Sequence, residues 1–223
     1  MAEALHSTKA QAELVGLGKG MRVLDAGCGV GGSSRYLAQT YDCQIEAIDL
    51  TPEYVEAAVR LNKLCGLENK ISVRQGSVID LPFEGQSFDR VWCQNVTMNV
   101  ENKPEMFAEA YRVLVPGGRY TISHAAQGPE GEPYFPLPWA LEPSYSFLGT
   151  PEEVLGCLEE TGFNIVENRR EAGSPGSSTT RGANDLGPAT IMGADMPKRQ
   201  ANAARSGKEG RLIGMLVVAE RPA

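Results

Sequence analysis

Short apolar runs alternate with amphipathic stretches along most of the chain. Residues 3–16 set Ala4, Leu5, Ala12, Leu14 and Val15 among polar neighbours, which predicts a short helix. Val23 and Leu24 read as a buried strand ending at Asp25, and Ser34, Tyr36, Leu37 and Ala38 predict a helix just beyond. A second strand is expected over 43–48, ending at Asp49. A helix from Pro52 to about Leu64 should follow, with Thr51 as its N-cap and Gly66 available to close it. Residues 71–75 alternate as a third strand, and 88–93 form a fourth. Met106, Phe107, Ala110, Val113 and Leu114 share one helical face, and Pro116, Gly117 and Gly118 stop that helix before a fifth strand over 119–123. Thr150, Pro151 and Glu153 spell a capping box for a helix ending near Gly162, with a sixth strand from Phe163 to about Glu167 and a last one over 212–219.

Strands that alternate with helices predict an α/β fold, a mostly parallel sheet with helices on both faces. Ligands of such sheets sit beyond the carboxyl ends of the strands, where the winding reverses. Two stretches break the alternation. Residues 128–147 are rich in proline and aromatics, and 171–188 are rich in Gly, Ser, Thr, Asn and Pro and expected to be mobile. We take 125–149 and 171–211 as substrate or lid insertions in a single domain spanning 1–223, with 1–20 as a partial N-terminal cap.

Composition narrows the classes. A chain of 223 residues, 42% hydrophobic, is long enough for one sizeable core. Its net charge of −7 offers no basic field, so a nucleic-acid partner is not expected. No apolar run approaches the roughly 18–20 residues needed to cross a bilayer, and the N-terminus lacks signal-peptide regions. Five scattered cysteines without a Cys-x-x-Cys pair suggest reduced thiols in the cytoplasm, and no cluster has metal-ligand spacing.

The candidate chemistry gathers after the first strand. Gly27, Gly29, Gly31 and Gly32 make a loop that lets backbone approach a ligand, and it opens onto a helix N-terminus suited to an anionic group. Gly27-x-Gly29-x-x-Gly32 with Asp49 satisfies a dinucleotide pattern. Asp25 argues otherwise, because a carboxylate is unwelcome beside a pyrophosphate and welcome beside an ammonium or sulfonium.

These residues resemble the class I S-adenosylmethionine-dependent methyltransferases. The stretch Val23-Leu24-Asp25-Ala26-Gly27-Cys28-Gly29-Val30-Gly31-Gly32 is similar to that family's first motif, and Ala47-Ile48-Asp49-Leu50-Thr51 to its acidic second one. Gly76-Ser77-Val78, Leu81-Pro82-Phe83, Ser87-Phe88-Asp89-Arg90-Val91 and the stretch from Arg112 to Gly118 follow in family order. A small-molecule subgroup, the ubiquinone/menaquinone C-methyltransferases and the sarcosine/dimethylglycine N-methyltransferases, is resembled at Gly31-Gly32-x-x-Arg35-Tyr36-Leu37, Met98-Asn99 and Glu209-Gly210-Arg211-Leu212. Ser77 departs from the family's usual Asp, and fewer residues precede the first motif than family members often carry.

The resemblance implies a Rossmann-like, seven-stranded sheet whose last strand is antiparallel, and S-adenosylmethionine as cofactor. Asp25, Gly27, Cys28, Gly29, Asp49, Leu50, Ser77, Val78, Gln94 and Asn95 would bind it, Asp49 through the ribose hydroxyls. Arg35 is a second-choice partner for the cofactor carboxylate. His124, expected to end the fifth strand on the ligand edge, is the candidate base. Tyr134 and Trp139 would wall the site of a small-molecule methyl acceptor whose reacting atom is N, O or C, in a monomer or homodimer that works without a metal. An NAD(P)-dependent oxidoreductase and a non-catalytic S-adenosylmethionine-binding protein are the alternatives.

Overall fold

The computed structural model describes residues 2–172 and 188–223. Residues 173–187, most of the stretch expected to be mobile, lie outside the described residues. The strands are β1 (Arg22–Ala26), β2 (Gln44–Asp49), β3 (Ile71–Gln75), β4 (Phe88–Gln94), β5 (Leu114–Gln127), β6 (Asn164–Ala172) and β7 (Leu212–Glu220). Around them lie α1 (Ala2–Val15), α2 (Gly32–Tyr41), α3 (Pro52–Leu64), α4 (Lys103–Val113), α5 (Pro151–Thr161), α6 (Pro188–Met192) and α7 (Met196–Lys208). The seven strands form one sheet in the order β3-β2-β1-β4-β5-β7-β6, and β7 is antiparallel to both neighbours. The expected α/β fold with an antiparallel last strand is the one observed.

The order explains the site. From β1 the chain winds outward through β2 and β3, then returns to pair β4 with β1 on the other side. That reversal opens a crevice beyond the carboxyl ends of β1 and β4. Central strands are covered on both faces, so Val23, Leu24, Asp25 and Ala26 are all buried. One face packs Leu24, Cys93, Tyr120 and Ile122 against Phe107 of α4 and Leu158 of α5. The other packs Val23 and Trp92 against Ala12 of α1 and Leu37 of α2. A third, smaller cluster of Met98, Ala125, Leu137, Ala203 and Leu212 seats the proline- and aromatic-rich strap on the sheet end.

Local signals were mostly realised. Thr150 Oγ1 accepts from Glu153 N at 3.2 Å and Glu153 Oε2 accepts from Thr150 N at 2.7 Å, the reciprocal box that opens α5. Thr51 holds the N-cap position of α3, but its hydroxyl makes no capping bond. Instead Asp49 Oδ1 accepts from Thr51 N at 3.0 Å.

The largest correction concerns the fifth strand. Its pairing with β7 runs from Arg119 to Gln127, so His124 lies opposite Met215 inside the strand and not at its end. The physical reason is non-local: Ala125 and Ala126 are small enough to be buried between neighbours, and β7 supplies their partners from residues 213–214.

Candidate cofactor and acceptor site

The glycine loop is held by backbone. Gly27 N and Cys28 N both donate to Ile48 O, at 2.9 and 2.8 Å, which ties the loop to the end of β2. Gly27 adopts φ +87°, and a Cβ there would lie 2.4 Å from Val96 Cγ2. Glycine is therefore required twice, by torsion and by space. Gly29 adopts φ +54°, yet a Cβ on it would meet no protein atom within 4 Å. It borders open space at the mouth of the crevice.

Two carboxylates flank this loop with different jobs. Asp49 Oδ2 accepts from Gly29 N at 2.8 Å while Oδ1 accepts from Thr51 N. Each oxygen keeps a second lone-pair direction for a hydroxyl. Asp25 is 2% exposed and accepts from Ser34 Oγ, in the first turn of α2, at 2.5 Å. Burial raises its pKa from 3.8 to about 6; the Ser34 bond opposes that rise and the Asp49 charge adds to it. A cation would relieve this buried carboxylate.

The other expected cofactor residues fall around the same edge. Leu50 follows Asp49 with 69% of its surface exposed, an apolar face beside a polar one. Ser77 Oγ turns back to accept from Ile79 N at 3.3 Å, and Val78 beside it is half-buried. Cys28 Sγ donates to Gly29 O at 3.4 Å, and burial, then Asp25 and Asp49, pushes the thiol pKa up, so it behaves as a neutral packing group. Asn95 follows β4, exposed and left-handed at φ +59°, and its N–H donates to Ser123 O at 2.7 Å. Gln94 Oε1 accepts from Ser33 Oγ at 2.7 Å and from Thr8 Oγ1 at 3.3 Å, joining α1 to the first turn of α2 over the end of β4. Its carboxamide oxygen is engaged by protein.

Three supports have roles that the sequence reading did not assign, and Arg35 is among them, read there as a second-choice partner for the cofactor carboxylate. Arg35 Nη1 donates to Val30 O at 2.8 Å and to Asn62 Oδ1 at 3.2 Å, so it braces the glycine loop against α3. Arg112 donates to Phe83 O and Leu81 O at 2.7 and 3.0 Å, while Glu109 Oε2 accepts from Leu81 N at 2.7 Å. That pair pins the segment after Val78. Val96, which closes on Gly27, carried no sequence signal because its role exists only once β4 lies beside β1.

His124 does not stand with these groups. Side chains alternate along a strand, and Ser123 faces the Gln94 side while Tyr120, Ile122 and Ala126 pack toward α4 and α5. His124 therefore points to the α4 side. It is 1% exposed, with neither Nδ1 nor Nε2 partnered. Burial, with the Lys103 ammonium nearby, lowers its pKa to about 4 and keeps it neutral.

On the acceptor side, Trp139 is half-buried, donates Nε1–H to Ser146 Oγ at 3.0 Å and packs against the cluster that includes Met98. Tyr134 is otherwise engaged. Its hydroxyl donates to Glu209 Oε2 at 2.7 Å, and Arg205 and Arg211 lie over its ring at 3.8 and 4.8 Å from the centroid. It clasps the strap to α7 and β7 and does not present a free ring face.

Residues 24–122 match a family model described as a methyltransferase domain. That stretch is a methyltransferase domain. The chain is 36% identical over 156 residues to a sarcosine/dimethylglycine N-methyltransferase of Aphanothece halophytica, covering 66% of this chain and 53% of that one. The chain spans about half the length of such curated relatives. Its fold is similar to that of a Galdieria sulphuraria protein assigned as a sarcosine dimethylglycine methyltransferase, with a TM-score of 0.81, 20% identity, and 98% and 86% of the two chains covered. It is also similar to a geranyl diphosphate C-methyltransferase of Streptomyces coelicolor solved with S-adenosyl-L-homocysteine, with a TM-score of 0.80, 18% identity, and 98% and 80% covered. Among the described residues, no helix is long and apolar enough to cross a membrane.

Proposed function

We propose that this methyltransferase domain moves a methyl group from S-adenosylmethionine to a small amine held between the carboxyl ends of β4 and β5 and the aromatic strap. The observation that carries the cofactor half is Gly29, open to space and bonded to Asp49 beside exposed Leu50. The residues present fit the group. Asp25 and the loop would receive its amino-acid end, with the N-terminus of α2 favouring the carboxylate by ~0.3–1 kcal/mol. Asp49 would take the ribose hydroxyls on its remaining lone pairs, and Leu50 and Val78 would flank the adenine.

When bound, the cofactor supplies a methyl group already made electrophilic by its sulfonium. The chain's task is orientation, which contributes up to roughly 7–11 kcal/mol in favourable systems. A neutral amine brings its own lone pair: the N–C bond forms as the S–C bond breaks, and any N–H proton leaves to water afterwards. No side-chain base is asked for, which suits an edge where His124 is turned into the core. The amine acceptors named for the Aphanothece relative support the same choice.

Trp139, with the cluster that includes Met98 behind it, is the proposed acceptor wall. Residues 125–149 and 188–211 act as one lid on a single domain, with α1 as a partial cap. Free thiols at all five cysteines support a reducing, cytoplasmic setting, and a monomer or homodimer is the proposed assembly. The test is a product screen by mass spectrometry with labelled methyl donor across amines, phenols and carbon acids. Methylated amines are expected. Label in phenols or carbon acids alone would overturn the acceptor class, and failure to bind S-adenosylhomocysteine would remove the cofactor assignment.

A further inference from the structure

Lys103 opens α4 where three segments meet. Its ammonium donates to Val100 O at 2.9 Å and to Phe147 O. Phe147 N in turn donates to Met98 O at 2.9 Å. Met98 and Val100 belong to the turn that follows β4 on the ligand edge, and Phe147 ends the strap that carries Trp139. The side-chain stem completes the junction: a Cβ on Gly149 would sit 3.8 Å from Lys103 Cε and 3.6 Å from Glu153 Oε2 of the α5 capping box. The ammonium is half-buried, and its strong hydrogen bonds go to backbone carbonyls. A half-buried charge shared by two carbonyls holds those backbone segments in register, because losing either bond leaves part of its desolvation uncompensated.

We propose that Lys103 is a positioning residue for methyl transfer: it staples the aromatic strap to the turn after β4 and so sets the acceptor wall without touching the cofactor. At its other end the strap is held by the Tyr134 clasp, so Lys103 governs the end nearer β4. The inference rests on the reading that the strap faces the acceptor. It separates the two halves of the site: the glycine loop, Asp25 and Asp49 make no hydrogen bond to Lys103 or Phe147 among the described contacts.

The test uses Lys103→Met and Lys103→Arg in the full chain. Calorimetry measures S-adenosylhomocysteine affinity, hydrogen exchange follows the peptide spanning 143–149, and KM and kcat are taken with the amine that wild type methylates fastest. For Lys103→Met, exchange in that peptide should rise at least tenfold and acceptor KM about tenfold, with kcat changing less. Its S-adenosylhomocysteine affinity should stay within twofold. Lys103→Arg, which keeps charge and donors, should recover most of both effects. Unchanged strap exchange in Lys103→Met, faster exchange across the whole sheet, or a parallel loss of S-adenosylhomocysteine affinity would each overturn the proposal. If wild type binds S-adenosylhomocysteine but methylates no amine, the acceptor reading fails while exchange still decides the staple.

Discussion

The cofactor end and the acceptor strap are built in opposite ways. At the cofactor end the donors are backbone N–H groups of consecutive residues, Gly27 and Cys28 to Ile48 O and Gly29 to the Asp49 carboxylate. The strap is held by side chains from distant parts of the chain. Ser206 Oγ accepts from Tyr134 N at 2.8 Å, Asn202 donates to Pro136 O at 3.1 Å, Arg211 donates to Glu132 O at 2.9 Å, and Lys103 reaches Phe147 O. A site made by backbone geometry tolerates few substitutions and reads as a motif. A surface assembled by long side chains can be re-cut for new acceptors while the cofactor end stays the same.

The largest effect should come from Gly27→Ala. Positive φ costs about 1–2 kcal/mol and the Val96 clash adds to it, so S-adenosylhomocysteine affinity by calorimetry should fall roughly a hundredfold or more. Adding Val96→Ala would restore space but not torsion, so only part of the loss should return. Gly29→Ala meets no protein atom but carries the same positive-φ cost of about 1–2 kcal/mol, so an affinity loss well beyond that reports a clash with the cofactor itself. Asp49→Ala removes charge-assisted bonds worth ~1.5–3 kcal/mol and should weaken binding roughly 10- to 100-fold. An unchanged affinity would move the ribose elsewhere.

Asp25 sharpens the comparison through pH. Below its ordinary pKa of 3.8 both folded and unfolded chains hold the proton. As pH rises toward about 6 the unfolded chain loses it first, so the cofactor-free protein should lose roughly 3 kcal/mol across that window. A bound ammonium favours the ionised form, so affinity for S-adenosylhomocysteine should run the other way and weaken as pH falls through about 6. Asp25→Asn should flatten the binding profile between pH 5 and 7; a wild-type profile already flat there would separate Asp25 from the ammonium.

On the strap, Trp139→Ala should raise acceptor KM roughly fivefold, an effect of about 1 kcal/mol, with S-adenosylhomocysteine affinity within twofold. A matching loss of cofactor affinity would erase the division between the two ends. The smallest contrast lies in the caps. Thr150→Ala should cost about 1 kcal/mol in denaturant unfolding, whereas Thr51→Ala, whose hydroxyl makes no capping bond, should cost a few tenths.

Much of the fold was legible because its signals are local. Pro52 after Thr51 marked α3, and Thr150 with Glu153 marked α5. The glycine positions and Asp49 were legible for the same reason. The length of β5 was not, because residues 124–127 become strand only by pairing with 212–215. His124 was misplaced on that account, and Tyr134 looked available because nothing near it in sequence shows that Arg205, Arg211 and Glu209 will close around it.

The sequence by itself determined the order of strands and helices, the loop torsions that need glycine, and the two carboxylates at the reversal of the sheet. Each depends on residues close along the chain. Only the tertiary structure decided which face His124 takes, that Arg35 and Arg112 are braces, and that Lys103 reaches the strap. Those outcomes depend on which distant backbone groups the folded chain brings within one side chain's length, a distance that local pattern does not encode.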